Sequence, residues 1–221
     1  MTTNSPPRKT IPTLVKDHGL VEKRRAQIVE AAVGLFINKG YHLTTTREIA
    51  RAAGFSIGTL YEYIEAKEDV LYLVCDAIHS NVEFQLKQAI DHGATGREAL
   101  VGALKNYFQV CHRMQDHILL IYQESSSLKP DSLKYVLKNE ERITAIFSEI
   151  LLQGQADGTL KLGDHGKALI MAHNITVLGH MWTFRRWFLA RHYTLEEFTG
   201  LQTSLILSEL SPARSVDETH N

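Results

Sequence analysis

The sequence predicts an all-α chain, with a three-helix helix-turn-helix domain at the N-terminus and a larger helical domain after it. Three observations predict this. Apolar residues recur at helical spacing, and no segment sustains the period-two alternation with β-branched residues that a strand requires. Thr-x-x-Glu capping boxes at Thr45, Thr95 and Thr194 mark helix starts.

Residues 1–20 lack periodicity and contain Pro6, Pro7 and Pro12, so they are expected to form a flexible basic arm. The first helix begins near Glu22. Ile28, Ala32, Leu35 and Phe36 share one of its faces, and Gly40 stops it. A second helix, Thr46 to Ala53, follows the first capping box and is broken by Gly54. Ser56 can cap a third, Ile57 to Ile64, with Leu60 and Ile64 turned inward. Residues 21–66 thus form the helix-turn-helix domain.

Residues 67–211 form the second domain. A helix from Lys67 to Ile90 ends at Asp91-His92-Gly93, and the Thr95 box opens another that runs to Arg113. A short helical segment, His117 to Glu124, precedes the Ser125-Ser126-Ser127 loop. Pro130 suits the first turn of a helix running to Gln153, and Gly154 to Gly163 is a turn-rich connection. Asp164 or His165 opens the most apolar helix, to Ala190, and the Thr194 box opens the last, to Leu210. Residues 212–221 are expected to be a disordered tail.

With 44% hydrophobic and 22% charged residues and five prolines, the composition is that of a globular protein with a core. The two cysteines, Cys75 and Cys111, are too few for a disulfide scaffold and are expected to be reduced and buried. Met1 to Gly19 has no apolar core of a secretory signal. Ala168 to Trp182 is too short, and too broken by His173, Asn174, Thr176 and His180, to read as a membrane span. A cytoplasmic protein with no membrane partner is expected. Net charge is −1, yet up to Lys67 there are ten Lys and Arg against six Asp and Glu, and beyond it fourteen against nineteen. The basic N-terminal end points to an anionic partner. No nucleophile elbow, glycine-rich phosphate loop or H-E-x-x-H is present, and the histidines are scattered. Neither an enzyme, a metal site nor a cofactor is expected.

Leu35 to Leu71 carries Phe36, Gly40, Tyr41, Thr44, Thr45, Ile49, Ala50, Ala53, Gly54, Ser56, Gly58, Thr59, Leu60, Tyr61, Tyr63, Lys67 and Glu68 in fixed order. This segment resembles the DNA-binding domain of TetR-family repressors. It departs from the family's pattern at Ile64, where Phe is usual, and at Val70, where Leu is common; both keep an apolar residue. The resemblance implies a homodimer that binds a double-stranded, palindromic operator. The chemistry of the residues fits that implication. Thr45, Thr46, Ser56 and Thr59 place hydroxyls and free N–H groups at two helix starts, where phosphates bind. Lys67 adds a cation at the next helix start, and the resemblance assigns Tyr61 and Tyr63 to the DNA backbone. Base readout falls to Arg47, Ile57, Gly58 and Thr59, of which Arg47 alone can grip a guanine bidentately. Lys23, Arg24 and Arg25 either contact DNA or form a solvated helix start.

The resemblance further implies that the last two helices of each subunit form the dimer interface and that the helices before them enclose a ligand. The apolar helix from His165 to Ala190 fits an element that packs on both sides. Its polar stripe, His173, Thr176, His180 and Thr183, needs partners in a pocket, in the core or across a two-fold axis. Gln123-Glu124, Ser126 to Leu128, Gly179-His180-Met181-Trp182 and Arg185-Arg186-Trp187 are similar to TetR-type regulators of fatty-acid and acyl-CoA breakdown. That second resemblance implies an acyl-CoA or fatty acid as the small apolar effector. Tyr107, Phe108, Tyr122, Trp182 and Phe184 would line its tunnel, with Glu124, His173, Asn174, Val177 and Met181 as further candidates and Arg185 or Arg186 at the anionic end. Two alternatives stay open. One is a multidrug sensor controlling an efflux pump, with Glu124 as the carboxylate that meets a cation. The other is a protein-interaction factor scaffolded on DNA that ignores small ligands.

Overall fold

The structure, a computed structural model, describes residues 9–91, 93–163 and 165–210; residues 1–8 of the expected arm and the expected tail lie outside them. Ten α helices and no strand occur among the described residues: α1 His18–Lys39, α2 Thr46–Ala52, α3 Ile57–Tyr61, α4 Lys67–Gln88, α5 Gly96–Arg113, α6 Gln115–Glu124, α7 Pro130–Ala156, α8 His165–Phe184, α9 Arg186–His192 and α10 Leu195–Leu210. A 3-10 turn, Ser125–Ser127, follows α6. None of the described helices is long and apolar enough to cross a membrane.

Two compact units emerge, and their boundary falls inside α4 and α7 rather than at Lys67. The first unit holds residues up to Phe84 and Met114–Ile143, the second Gln85–Arg113 and the residues from Thr144 onward.

In the first unit, Val21, Ile28, Ala32 and Phe36 form the buried face of α1. They join Ile49 and Ala50 of α2, Leu60 of α3, and Ile64, Val70 and Leu71 in one apolar core. α1 starts four residues earlier than Glu22 because the Asp17 carboxylate accepts the Leu20 amide and caps it. Residues 9–17 depart from the expected flexible arm. Ile11 is buried, the Leu14 amide and the Thr13 hydroxyl both donate to the Glu62 carbonyl, and Lys9 donates to the Tyr72 hydroxyl and the Asp69 carboxylate. α4 and α7 face each other through polar pairs: Tyr135 and Asn139 donate to Asp76, His79 meets Glu140, and Arg142 grips Glu83.

In the second unit, α5 packs on α8 and α10. A Cβ on Gly179 would lie 2.3 Å from Tyr107 Cε1 and 2.9 Å from Cys111 Sγ, so only glycine lets α8 approach α5 this closely. The long helix expected up to Ala190 is broken at Arg185, whose φ of −108° and ψ of 14° leave the helical region, and α9 restarts there.

Candidate nucleic-acid interface

α2 and α3 are built from local chemistry. The Thr45 hydroxyl accepts the Glu48 amide while the Glu48 carboxylate accepts the Thr45 amide, so the capping box is complete. Lys39 adds a third partner. Its hydrogen bond, with those from Thr45, holds the Glu48 carboxyl at about 2, well below its ordinary 4.5. Gly54, at φ 76°, turns the chain between the helices, and the Ser56 hydroxyl accepts the Thr59 amide to start α3. Thr46 and Tyr61 bridge the two helices, their hydroxyls 3.2 Å apart.

This arrangement leaves Thr45, Arg47, Ser56, Ile57, Gly58 and Tyr61 exposed, with Thr46 and Thr59 half-buried beside them. Arg47 makes no hydrogen bond or ion pair among the described residues. The caps take the Glu48 and Thr59 amides, and the Ser56 and Thr59 hydroxyls pair with each other, so what α2 and α3 offer phosphates and base edges is an unengaged Arg47 guanidinium and the remaining first-turn amides, which have no helical acceptor.

Four sequence candidates are placed differently. Tyr63 is buried, its ring against Phe55 at 6.4 Å, and belongs to the core. Lys67 points inward: its ammonium donates to the carbonyls of Tyr41, His42 and Thr44 at 3.0, 3.4 and 3.0 Å. Three donors are then spent on the loop before α2, and none is left over for a phosphate. Arg25 donates to the carbonyls of Tyr63, Ile11 and Pro12, tying the N-terminal segment to the end of the helix-turn-helix. Arg24 lies over the Phe55 ring and donates to Gln27. Periodicity could not reveal these roles, because the carbonyls come from segments that pair only in the folded unit.

Within the second unit the effector candidates take different surroundings. Tyr107 and Phe108 on α5 and Trp182 on α8 are filled core: Phe108 and Trp182 pack on Phe198 of α10 at 5.5 and 5.1 Å, and the Trp182 indole donates to His112. Of the polar stripe, His180 faces the Tyr107 hydroxyl at 3.0 Å and Thr176 meets Thr144 at 3.1 Å, so both are satisfied inside the core. Thr183 is buried too, its hydroxyl unpartnered among the described residues, while His173 is exposed. Asn174, Val177, Arg185 and Arg186 are likewise exposed. Asn174 borders a surface hollow of about 910 Å³ with Ile170, Met171 and Leu210, and Met181 borders one of about 400 Å³ with Phe188 and Leu205. Phe184 stands edge-on to His180 and is partly exposed.

Tyr122 and Glu124 belong to the first unit, the other effector candidates to the second. Tyr122 is exposed. Glu124 lies 3.5 Å from His42 in the loop before α2.

Burial, and then the Asp76 carboxylate, push the Cys75 thiol up to about 12, which leaves it inert as a nucleophile. Among the described residues no three His, Cys, Asp or Glu side chains come together to hold a metal.

Comparison with known proteins adds the following. The family described as "Bacterial regulatory proteins, tetR family" matches residues 28–72, and the "Tetracyclin repressor-like, C-terminal domain" matches residues 93–191. The chain is similar to the HTH-type transcriptional regulator HbdR of Aromatoleum sp. (strain CIB), at 27% identity over 86% of this chain and 82% of that protein. It is also similar to the fatty acid metabolism regulator protein of Bacillus subtilis (strain 168), at 29% identity over 62% of this chain and 71% of that one. Among solved structures it is similar to AibR in complex with isovaleryl coenzyme A and operator DNA, with TM-score 0.68 and 19% identity over 83% of this chain and 98% of that chain. At that identity the likeness shows a shared fold.

Proposed function

The chain belongs to the tetR family of bacterial regulatory proteins, and from that premise we propose that it is a cytoplasmic, homodimeric transcriptional repressor, not an enzyme, that leaves its operator when a small apolar effector binds. The observation that carries the reading is the surface at the start of α2 and α3, where an unengaged Arg47 stands beside Thr46, Ser56, Ile57 and Thr59. Arg47, Gly58 and Thr59 read bases, and the hydroxyls and first-turn amides hold phosphates.

The dimer forms through α8 and α10. Leu169, Ile170 and Val177 on α8 and Leu201 and Leu205 on α10 are all about half exposed or more, an apolar area that a monomer rarely leaves in water. Two-fold symmetry then sets the two α3 helices about one DNA turn apart, roughly 34 to 36 Å, on a palindromic site.

The effector is an acyl-CoA or a fatty acid. Supporting this are a relative named for fatty acid metabolism and a fold neighbour solved with isovaleryl coenzyme A. Release requires the effector to prefer the dimer whose recognition helices are mis-spaced, since a ligand indifferent to the two states moves neither.

Fluorescence anisotropy with DNA flanking the protein's own gene tests both halves. Specific binding that saturated acyl-CoA reverses is the expected result. Binding that no acyl-CoA or fatty acid reverses defeats the effector half, and equal affinity for random duplex defeats the operator half.

A further inference from the structure

Up to Lys67 the chain carries ten Lys and Arg, and the fold commits half of them to its own contacts. Lys9 pairs with Asp69 and Lys39 with Glu48, Arg24 lies over Phe55, and Arg25 and Lys67 donate to backbone carbonyls. Arg8 lies outside the described residues. Lys16, Lys23, Arg47 and Arg51 remain, all exposed and with no hydrogen bond, ion pair or ring contact among the described residues. Of the described cations at this end of the molecule, these four are left to meet an anion.

Two of the four sit beside the helix-turn-helix rather than on it. Residues 13–17 form a strap fastened at the far end of α3: the Thr13 hydroxyl and the Leu14 amide donate to the carbonyl of Glu62, the residue that closes that helix, at 2.8 and 3.2 Å. Arg25 holds the carbonyls of Ile11 and Pro12 behind it, and Ile11 is buried. At the near end of α3, Arg24 of α1 reaches Phe55, 5.3 Å from its ring centre. The strap and the first turns of α1 therefore run alongside α3, from the residue before its cap to the residue after its end. Lys16 lies in the strap and Lys23 next to Arg24. Leu14 is 83% exposed on a segment whose backbone is tied down, so its side chain supports no core of its own chain.

An α helix roughly 10–12 Å across fills a major groove roughly 12 Å wide. An element fastened along that helix has no room in the same groove and comes to lie over the sugar-phosphate ridge at its edge. That ridge alternates phosphates with the apolar faces of sugars. Lysines suit the first, as point charges without the fork that reads a base, and an exposed leucine suits the second.

We propose that the strap, through Lys16 and Leu14, and Lys23 at the start of α1 form a second DNA contact, which grips the backbone of the duplex beside the groove that α3 occupies. Lys16 and Lys23 meet phosphates, and Leu14 packs on a deoxyribose. This rests on the reading that α3 enters an operator's major groove. The contact reads no base, so it adds affinity equally on operator and on random duplex. It takes over the phosphate roles from which Arg25 and Lys67 are withdrawn by their carbonyls.

The test is fluorescence anisotropy on the full chain across a salt series, with the DNA flanking the protein's own gene and with random duplex of equal length. K16Q/K23Q is expected to weaken both complexes at least about tenfold at low salt and to lower the slope of log affinity against log salt by about two, since each phosphate contact contributes about 0.9. Leu14→Ser is expected to weaken both complexes several-fold with the slope unchanged. The ratio of operator to random affinity, the helical circular dichroism and the urea midpoint are expected to hold in both variants. A wild-type slope in K16Q/K23Q, or wild-type affinity in Leu14→Ser, overturns the proposal, and so does a Leu14→Ser protein whose sedimentation changes while its DNA affinity does not, because the leucine then joins two copies of the chain. If the wild type prefers its own flanking DNA but K16Q/K23Q keeps the full slope, the strap contact falls and the operator reading stands. If the wild type prefers no duplex while K16Q/K23Q still lowers the slope by about two, the strap contact stands and the operator reading falls.

Discussion

The Lys67 ammonium lies 3.0 Å from the carbonyl of Tyr41 and 4.2 Å from the centre of that residue's ring, so one cation at the start of α4 fastens the loop that delivers α2. A cation so engaged supports the recognition surface from behind. Removing it should act on the protein before it acts on DNA.

Lys67→Met is therefore expected to cost about 2 kcal/mol of stability, the usual worth of hydrogen bonds made by a charged donor. Its salt dependence of DNA binding should stay as in the wild type. Arg47→Ala should do the reverse: the melting temperature holds, and discrimination at one base pair falls by about 1–3 kcal/mol. Urea unfolding and anisotropy across a salt series measure both. If Lys67→Met kept full stability and lowered the salt slope by about one phosphate, Lys67 would be a direct contact after all.

Acid stability should depend on the cap of α2. The Lys39 hydrogen bond, followed by those from Thr45, holds the folded Glu48 carboxyl at about 2 against an ordinary 4.5. A depressed folded value means the carboxylate favours folding above its unfolded value, and the benefit fades as pH falls from about 4.5 toward 2. Glu48→Gln removes this benefit at every pH, so its deficit against the wild type should be full at pH 6 and shrink steadily below pH 4.5. Urea midpoints at a series of pH values give the comparison; a deficit that stays constant down to pH 2.5 would rule the carboxylate out as the source.

The cap of α2 was legible in the sequence, as were those at Thr95 and Thr194, because each is closed by a Glu three residues on. Local hydrogen bonding leaves a local signature. The helix-turn-helix core was legible for the same reason, since Ile28, Ala32 and Phe36 recur at helical spacing and are all buried. What the sequence hid depends on distant partners. Arg25 and Lys67 look like DNA-binding cations until the carbonyls of Ile11, Tyr63 and Tyr41 arrive beside them. The break at Arg185 carries no proline or glycine to announce it. Tyr107 and Trp182 read equally well as tunnel wall or as core, and only packing against α10 and α8 distinguishes the two.

Two α5 and α8 glycines should respond oppositely to alanine. A Cβ at Gly179 would lie inside the contact distance of Tyr107 and Cys111, both fully buried, so α8 must back away from α5. Overpacking of this kind costs about 1–3 kcal/mol. Gly102, mid-helix in α5, has nothing within 4 Å of its added Cβ, and Gly102→Ala should stabilise by about 0.5–1 kcal/mol through helix propensity alone. Denaturant unfolding of both variants decides it, and a neutral Gly179→Ala would show that the α5 and α8 contact is looser than drawn.

The dimer should fail at α10 before the fold does. Leu205 is 64% exposed and Leu201 53%, one helical turn apart, and Val177 of α8 is 59% exposed. None supports the core of its own chain, so Leu205→Glu should leave helicity and thermal unfolding of the monomer intact. Placed across a two-fold axis, however, the new carboxylate meets its own copy, and like charges buried together are costly. Sedimentation equilibrium should report a monomer. Operator affinity should fall steeply with it, because a single helix-turn-helix holds only one half-site and loses the gain in effective concentration that a linked partner supplies. A Leu205→Glu protein that still sediments as a dimer and binds its operator with wild-type affinity would move the interface off α10.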